Sequence, residues 1–336
     1  MMLARALVDP ASVLDLDTEG WASLLCVAHA ERLTATLADR LDGLNIPESA
    51  ATVLRNASLN AEAGRVRALW EVEMARRALV PLGVPVVLLK GSAFLAAGLD
   101  AGQGRLVGDL DILVPRDRLA EVESAILAAG WEWLKTDAYD DHYYRAWMHE
   151  LPPLIHRDRD ALIDVHHTIL PLTARPTPDA AAMIADSVVL ENGLRIFCPE
   201  DMIIHAAAHL LADGDLSGGM RNLWDIHCLI GEFAGQPDFW ARLAERAHLH
   251  ALETAIDRAA QLSTALFDTA IPKDRDRWNR QDKWYLKRVT ARDGWGRETH
   301  KAIRFIFYIR SHLIRMPLPM LVRHLFTKWR KARDSG

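Results

Sequence analysis

Cysteine is scarce in this 336-residue chain, with three in all. Cys26, Cys198 and Cys228 are odd in number, far apart and in no metal-type spacing. They exclude a cysteine-built metal site, and a reducing cytoplasm is the simplest setting for them. Long apolar runs are missing too. A membrane span needs roughly 18 uninterrupted apolar residues, and the best stretch, Ala78 to Leu89, is broken by Pro81, Gly83 and Pro85. The start of the chain meets Asp9, Pro10, Asp15 and Asp17 before any such run, so a secretory signal is not expected. Internal repeats and low-complexity tracts are absent. The net charge of -5 argues against a wholesale nucleic-acid coat. What remains, 50% hydrophobic and 25% charged, suits a globular protein of one large or two to three modest domains.

One segment lacks acid altogether. From Lys301 to Arg333 there are nine Lys and Arg and no Asp or Glu, interleaved with Ile303, Phe305, Ile306, Phe307, Ile309, Leu313, Ile314, Leu321, Phe326 and Trp329. The plainest reading is a terminal helix packed on the acidic remainder of the chain. A basic amphipathic helix pair would instead meet an acidic partner or an anionic membrane surface, making a cytoplasmic protein peripheral to the membrane. A footprint for RNA, including a tRNA acceptor, is the third reading.

The chain divides by pattern into three regions: helical over residues 1–80, a core over 81–198, and helical again over 199–336. Thr18 can cap a first helix, with Trp21, Leu24, Leu25, Ala28 and Leu33 as its apolar stripe. A long helix follows from Pro47 to Leu79, and Pro81 to Pro85 ends it. The core opens with a strand, Val86 to Leu89, that runs into a Gly91-Ser92 turn and a helix from Ala93. A second strand spans Gly108 to Val114, a helix Arg116 to Ala129, and a third strand Trp131 to Leu134. Leu151 to His156 with Ala161 to Thr168, and Val188 to Leu190 with Leu194 to Phe197, read as hairpins; Glu191-Asn192-Gly193 is a strong turn signal. Patterns that alternate at first and then give way to hairpins predict an α+β protein, with a small mixed β-sheet flanked by N-terminal and C-terminal helical regions. Pro199-Glu200-Asp201 opens the last region, whose final helix is expected from Leu318 to Ala332.

Two carboxylates interrupt the apolar second strand. Side chains alternate faces along a strand, so Leu110, Ile112 and Val114 go to the core while Asp109 and Asp111 leave together on the other side. Like charges so placed are unfavourable unless a cation lies between them, and a hard divalent metal is the obvious candidate. Asp164 repeats the anomaly in the strand Leu162 to His166, with His166 on its face. Three carboxylates from two strands of one sheet can hold two magnesium ions, with manganese as an alternative, and orient a hydroxyl for in-line displacement at phosphorus. Gly91 allows close approach of a phosphate, and Ser92 with the following helix N-terminus can bind its oxygens. Lys90 or Arg105 can neutralise a triphosphate tail. A lone Asp-x-Asp pair is usually just solvated. Lys-Gly-Ser alone lacks the P-loop spacing.

Gly91-Ser92, Asp109-Leu110-Asp111 and Asp164 match, in order and strand context, the pattern of the DNA polymerase β-like nucleotidyltransferase superfamily. The longer phrase from Leu88 to Ser92 and from Arg105 to Val114, with Ile163-Asp164-Val165-His166, resembles its uncharacterised bacterial nucleotidyltransferase family. The resemblance spans residues 80–230. It implies a nucleoside triphosphate substrate, with ATP the favoured donor, two magnesium ions, and transfer of a nucleoside monophosphate to an unidentified acceptor. By position it implies Asp109 and Asp111 as metal ligands, Asp164 as the third acid, and Gly91 and Ser92 as phosphate contacts. A tRNA-modifying enzyme and a non-catalytic nucleotide binder on the same fold are the rival readings. Arg221 and Asp225, four apart on an expected helix, read as an ion pair by default and as cleft or acceptor contacts otherwise. His205 and His209, also four apart, read as structural histidines.

Overall fold

The computed structural model describes residues 1–134, 138–275, 278–316, 318, 321 and 322. Four helices come first: α1 (Met2–Val8), α2 (Thr18–Ala30), α3 (Thr34–Arg40) and the 32-residue α4 (Glu48–Leu79). The first of these lies in the region expected to be helical, but ahead of Thr18, where the sequence pattern places its first helix. Its Leu3, Ala4, Ala6 and Leu7 are buried, a stripe too short to read alone. Thr18 does not cap α2; Asp17 does, accepting a hydrogen bond from the Gly20 N–H. The acceptor therefore stands one residue earlier than expected.

The core then runs β1 (Val87–Leu88), α5 (Lys90–Ala97), β2 (Asp109–Leu113), α6 (Leu119–Ala128), β3 (Trp131–Trp133), α7 (Ala138–Trp147), β4 (Leu154–His156), β5 (Leu162–His166), α8 (Ala180–Ala185), β6 (Val188–Val189) and β7 (Arg195–Ile196). Both expected hairpins form, β4 with β5 and β6 with β7. Among the described residues seven strands make one mixed sheet in the order β3-β4-β5-β2-β1-β7-β6. β2 is central, antiparallel to β1 and parallel to β5. Leu110 and Ile112 are buried on one face of β2, and Ile163 and Val165 stand beside them on β5. Each such side chain contributes about 1.5–3 kcal/mol on burial, which locks the register and hence the opposite face. Helix α4 packs on β2, α5 and α6.

Helices α9 (Pro199–Ala208), α10 (Gly219–Phe233), α11 (Phe239–Leu249), α12 (Glu253–Phe267), α13 (Arg280–Val289) and α14 (Lys301–Arg315) follow, with a π-turn over His209–Asp213. Buried residues from Leu3 to Phe307 belong to one hydrophobic cluster. On α14, Ile303 and Phe307 pack inward while Phe305, Ile306, Ile309 and Leu313 are exposed. Most of the expected last helix lies outside the described residues. Among the described residues no helix is long and apolar enough to cross a membrane.

Candidate active site

The parallel pairing of β2 and β5 sets Asp111 opposite Asp164, with Asp109 two residues back at the N-terminal end of β2. The three carboxylates bring one oxygen each to within 4.8 Å of one another. Along this face exposure falls with depth. Asp109 is exposed, Asp111 is 3% exposed, and Leu113 beyond it is fully buried. The expected convergence of acids is therefore present.

Its electrostatics are uneven. Asp111 is held well below the usual carboxylate range: burial opposes this, but the attraction of Lys90 and the contact with His166 outweigh it. Lys90 Nζ lies 2.6 Å from Asp111 Oδ1, and His166 Nε2 lies 3.0 Å from the same oxygen. Burial pushes Asp109 up, and Asp111 adds to it. Asp164 rises to about 7, first through burial and then through the nearby charges of Glu150 and Asp111. One lysine and one histidine do not balance this many acids. An all-oxygen donor set in that state fits a hard divalent cation such as magnesium or manganese.

Gly91 and Ser92 are not in a turn before the helix. Helix α5 begins at Lys90, so both lie buried in its first turn. Lys90 itself has φ +49°, an uncommon left-handed backbone for a non-glycine residue and the kind of local strain that collects at functional sites. A β-carbon at Gly91 would sit 2.6 Å from Arg105 Nε and 2.7 Å from Val107 Cγ2, so this glycine is required for close packing of the 105–107 segment on α5.

Arg105 lies over the Phe94 ring, 5.5 Å from its centroid, and pairs with Asp225. Arg221 holds the other Asp225 oxygen at 3.1 Å, and also donates to the Ala101 carbonyl and to Thr36. Burial lowers Arg221 to about 10 despite the attraction of Asp225. The expected ion pair of Arg221 and Asp225 is present, and Arg221 also ties α10 to the segment between α5 and β2 and to α3. His205 is buried beside Phe197.

A cleft of about 460 Å³ adjoins the acids. Lys90, Gly91, Arg105, Asp109, Asp111 and Arg221 all line it. Arg32 and Arg292 come from the N-terminal and C-terminal helical regions to extend its cationic wall, Arg292 being paired with Glu31, which also lines the cleft. No local motif marks them; only the tertiary fold brings them here. His149 and Glu150 were missed for the same reason. They join His166 beside the acids through a bridge between Glu150 and His166.

Residues 17–268 match the model of a family described as uncharacterised nucleotidyltransferase. The chain belongs to that family. It is a nucleotidyltransferase enzyme, as the acid pattern on β2 and β5 had implied. No curated protein matches the chain. Among solved structures, the antibiotic-resistance factor ANT(2'')-Ia is similar at 14% identity and a TM-score of 0.37, covering 58% of this chain and 96% of that one. In this nucleotidyltransferase the family match takes in both strands that carry the three acids, together with Gly91, Ser92, Arg105, Arg221 and Asp225.

Proposed function

We propose that this enzyme moves a nucleoside monophosphate, AMP from ATP, to a hydroxyl or phosphate of a small-molecule, peptide or protein acceptor. The observation that supports it is the meeting of Asp109, Asp111 and Asp164 within 4.8 Å at the edge of a cleft lined by lysine and arginine. Asp109, Asp111 and Asp164 would hold divalent metal, which when bound stabilises charge on the triphosphate and makes the acceptor hydroxyl more acidic. Lys90, Arg105 and the cationic wall orient the triphosphate, and the Gly91-Ser92 turn of α5 lies beside them. Asp164, the acid least stabilised as an anion, takes the acceptor proton in this reading. The acceptor oxygen forms its bond to the α-phosphorus as the bond to the bridging oxygen breaks, and pyrophosphate leaves with the electron pair. The division into residues 1–80, 81–198 and 199–336 belongs to the same reading.

The test uses purified protein, magnesium, α-labelled nucleoside triphosphates and fractions of a cell lysate. Label should pass from ATP to one fraction with release of pyrophosphate, and Asp111→Asn should abolish it. Tight ATP binding without pyrophosphate release in any fraction would make the protein a nucleotide binder instead. Label in RNA, lost on removal of residues 318–336, would favour the tRNA-modifying alternative with the basic tail as acceptor contact.

A further inference from the structure

Beside the acid triad, His149, Glu150 and His166 also bring one ligand atom each to within 4.8 Å of one another. Their backbone is paired. Glu150 and His166 form an antiparallel bridge, the Leu151 N–H donates to the Val165 carbonyl, and the His167 N–H donates to that of His149. Such support is what a metal site needs.

The spacing is informative. Glu150 Oε2 is 3.5 Å from His166 Nδ1 and 3.7 Å from His149 Nε2. Both are longer than the usual N–H···O bond of about 2.7–3.2 Å. They approach the edges of a tetrahedron around one ion, because ligands about 2.0–2.1 Å from zinc stand roughly 3.4 Å apart. His166 is 2% exposed, and the Nδ1 that faces this carboxylate has no hydrogen-bond partner. A ring nitrogen so deeply buried, with a carboxylate near it but beyond hydrogen-bond distance, carries a desolvation cost that a metal bond would reduce.

We propose that His149, Glu150 and His166 form a second metal site, for a dication of the zinc type. Two imidazoles and one carboxylate differ in kind from the all-oxygen set on β2 and β5, and they favour a transition metal over magnesium. Three protein ligands leave a fourth position open, and Glu150, with 18% of its side chain exposed, gives a route to solvent. The second nitrogen of His166 already faces Asp111 at 3.0 Å. Metal on Nδ1 fixes the proton on Nε2, which donates to Asp111 in a carboxylate–histidine–metal chain. The site thus positions Asp111 and does not touch the reacting atoms.

This inference does not depend on the nucleotide-transfer reading, and its test needs no turnover. Untagged full-length protein, stripped with a chelator, is given zinc or cobalt(II) in excess magnesium and freed of loose ions by gel filtration. One zinc per chain should be retained, and cobalt(II) should show the intense visible absorption of a four-coordinate site. Glu150→Gln and His149→Ala should weaken retention by about tenfold or more, while the double variant Asp109→Asn, Asp164→Asn should keep the metal. Circular dichroism checks the fold, and if His149→Ala does not fold, the isosteric Glu150→Gln decides. Failure of the wild-type protein to retain either ion would overturn the proposal. So would loss of the ion from the Asp109, Asp164 double variant with full retention by folded Glu150→Gln.

Discussion

Lys90 and Asp111 make the shortest charged contact in the acid cluster, 2.6 Å between Nζ and Oδ1. The lysine is held there by a left-handed backbone at the junction of β1 and α5, and it supplies part of the positive charge that a metal would otherwise bring. Metal and ammonium therefore compete for Asp111. Replacing Lys90 by Met should tighten magnesium binding by about tenfold, a fraction of the roughly 4 kcal/mol that unit charges exchange at 4 Å near a protein surface. The same variant should turn over more slowly and raise the KM for the triphosphate, since the cleft loses a cation. Calorimetry with magnesium, set beside steady-state kinetics, measures both. Weaker magnesium binding would show that Lys90 supports the site instead of competing for it.

Much of this arrangement was legible in the chain itself. The alternation of Leu110 and Ile112 with Asp109 and Asp111 placed the acids on one face, and Ile163 and Val165 did the same for Asp164. Period-two patterning works here because each strand buries its apolar set on a fixed side. Arg32, Arg292, His149 and Glu150 were not legible, because their place in or beside the cleft comes from helix and strand packing between distant segments. The Gly91-Ser92 pair is legible in the sequence, but α5 starts about one turn earlier than the pattern predicts. Lys90 takes an unexpected positive φ and starts α5 early. Arg105 reads from sequence as a phosphate contact; in the structure it lines the cleft and also pairs with Asp225, a partner that no spacing in the chain announces.

Gly91 can be tested through its packing. A methyl group there meets Arg105 Nε and Val107 Cγ2 inside contact distance, and Arg105 cannot simply swing away because Asp225 and the Phe94 ring hold it. Gly91→Ala should cost about 1–3 kcal/mol of stability, the usual scale of overpacking. Urea unfolding checks this. Paired with Arg105→Ala, the penalty should shrink, because one of the two obstructing side chains is gone.

Asp225 is the shared acceptor for two arginines, and removing its charge isolates both. Arg221 is 7% exposed and already lowered to about 10 by burial, so Asp225→Asn leaves a cation poorly compensated in the interior. A loss of about 3–5 kcal/mol is expected, as when one partner of a buried pair is deleted. Thr36→Val, which removes one of the bonds that Arg221 makes and the hydroxyl's own bond to the Gln103 carbonyl, should cost less, about 1–2 kcal/mol. Denaturant melts of the two variants should rank in that order.

His205 predicts how stability follows pH. Burial first, then repulsion from Lys90 and the neighbouring His209 and His166, keeps it well below 6.5, and Asp111 only partly opposes this. The folded chain therefore holds a neutral imidazole where the unfolded chain takes a proton. For a group lowered on folding, the contribution is complete above the unfolded pKa and falls away below it. Stability should decline as pH drops through about 6.5, by up to roughly 1.4 kcal/mol per unit for this one site. His166 works in the opposite sense: Asp111 and Glu150 raise it against burial, so its contribution is present at low pH and lost as pH rises. The net slope of the wild-type chain mixes the two, and a variant is needed to separate them. In chelator, unfolding midpoints of His205→Gln should change less between about pH 7.5 and 5.5 than those of the wild type. A steeper fall in the variant would mean that His205 is charged in the folded protein, and that the neutral, buried histidine beside Phe197 is the wrong description of this wall of the core.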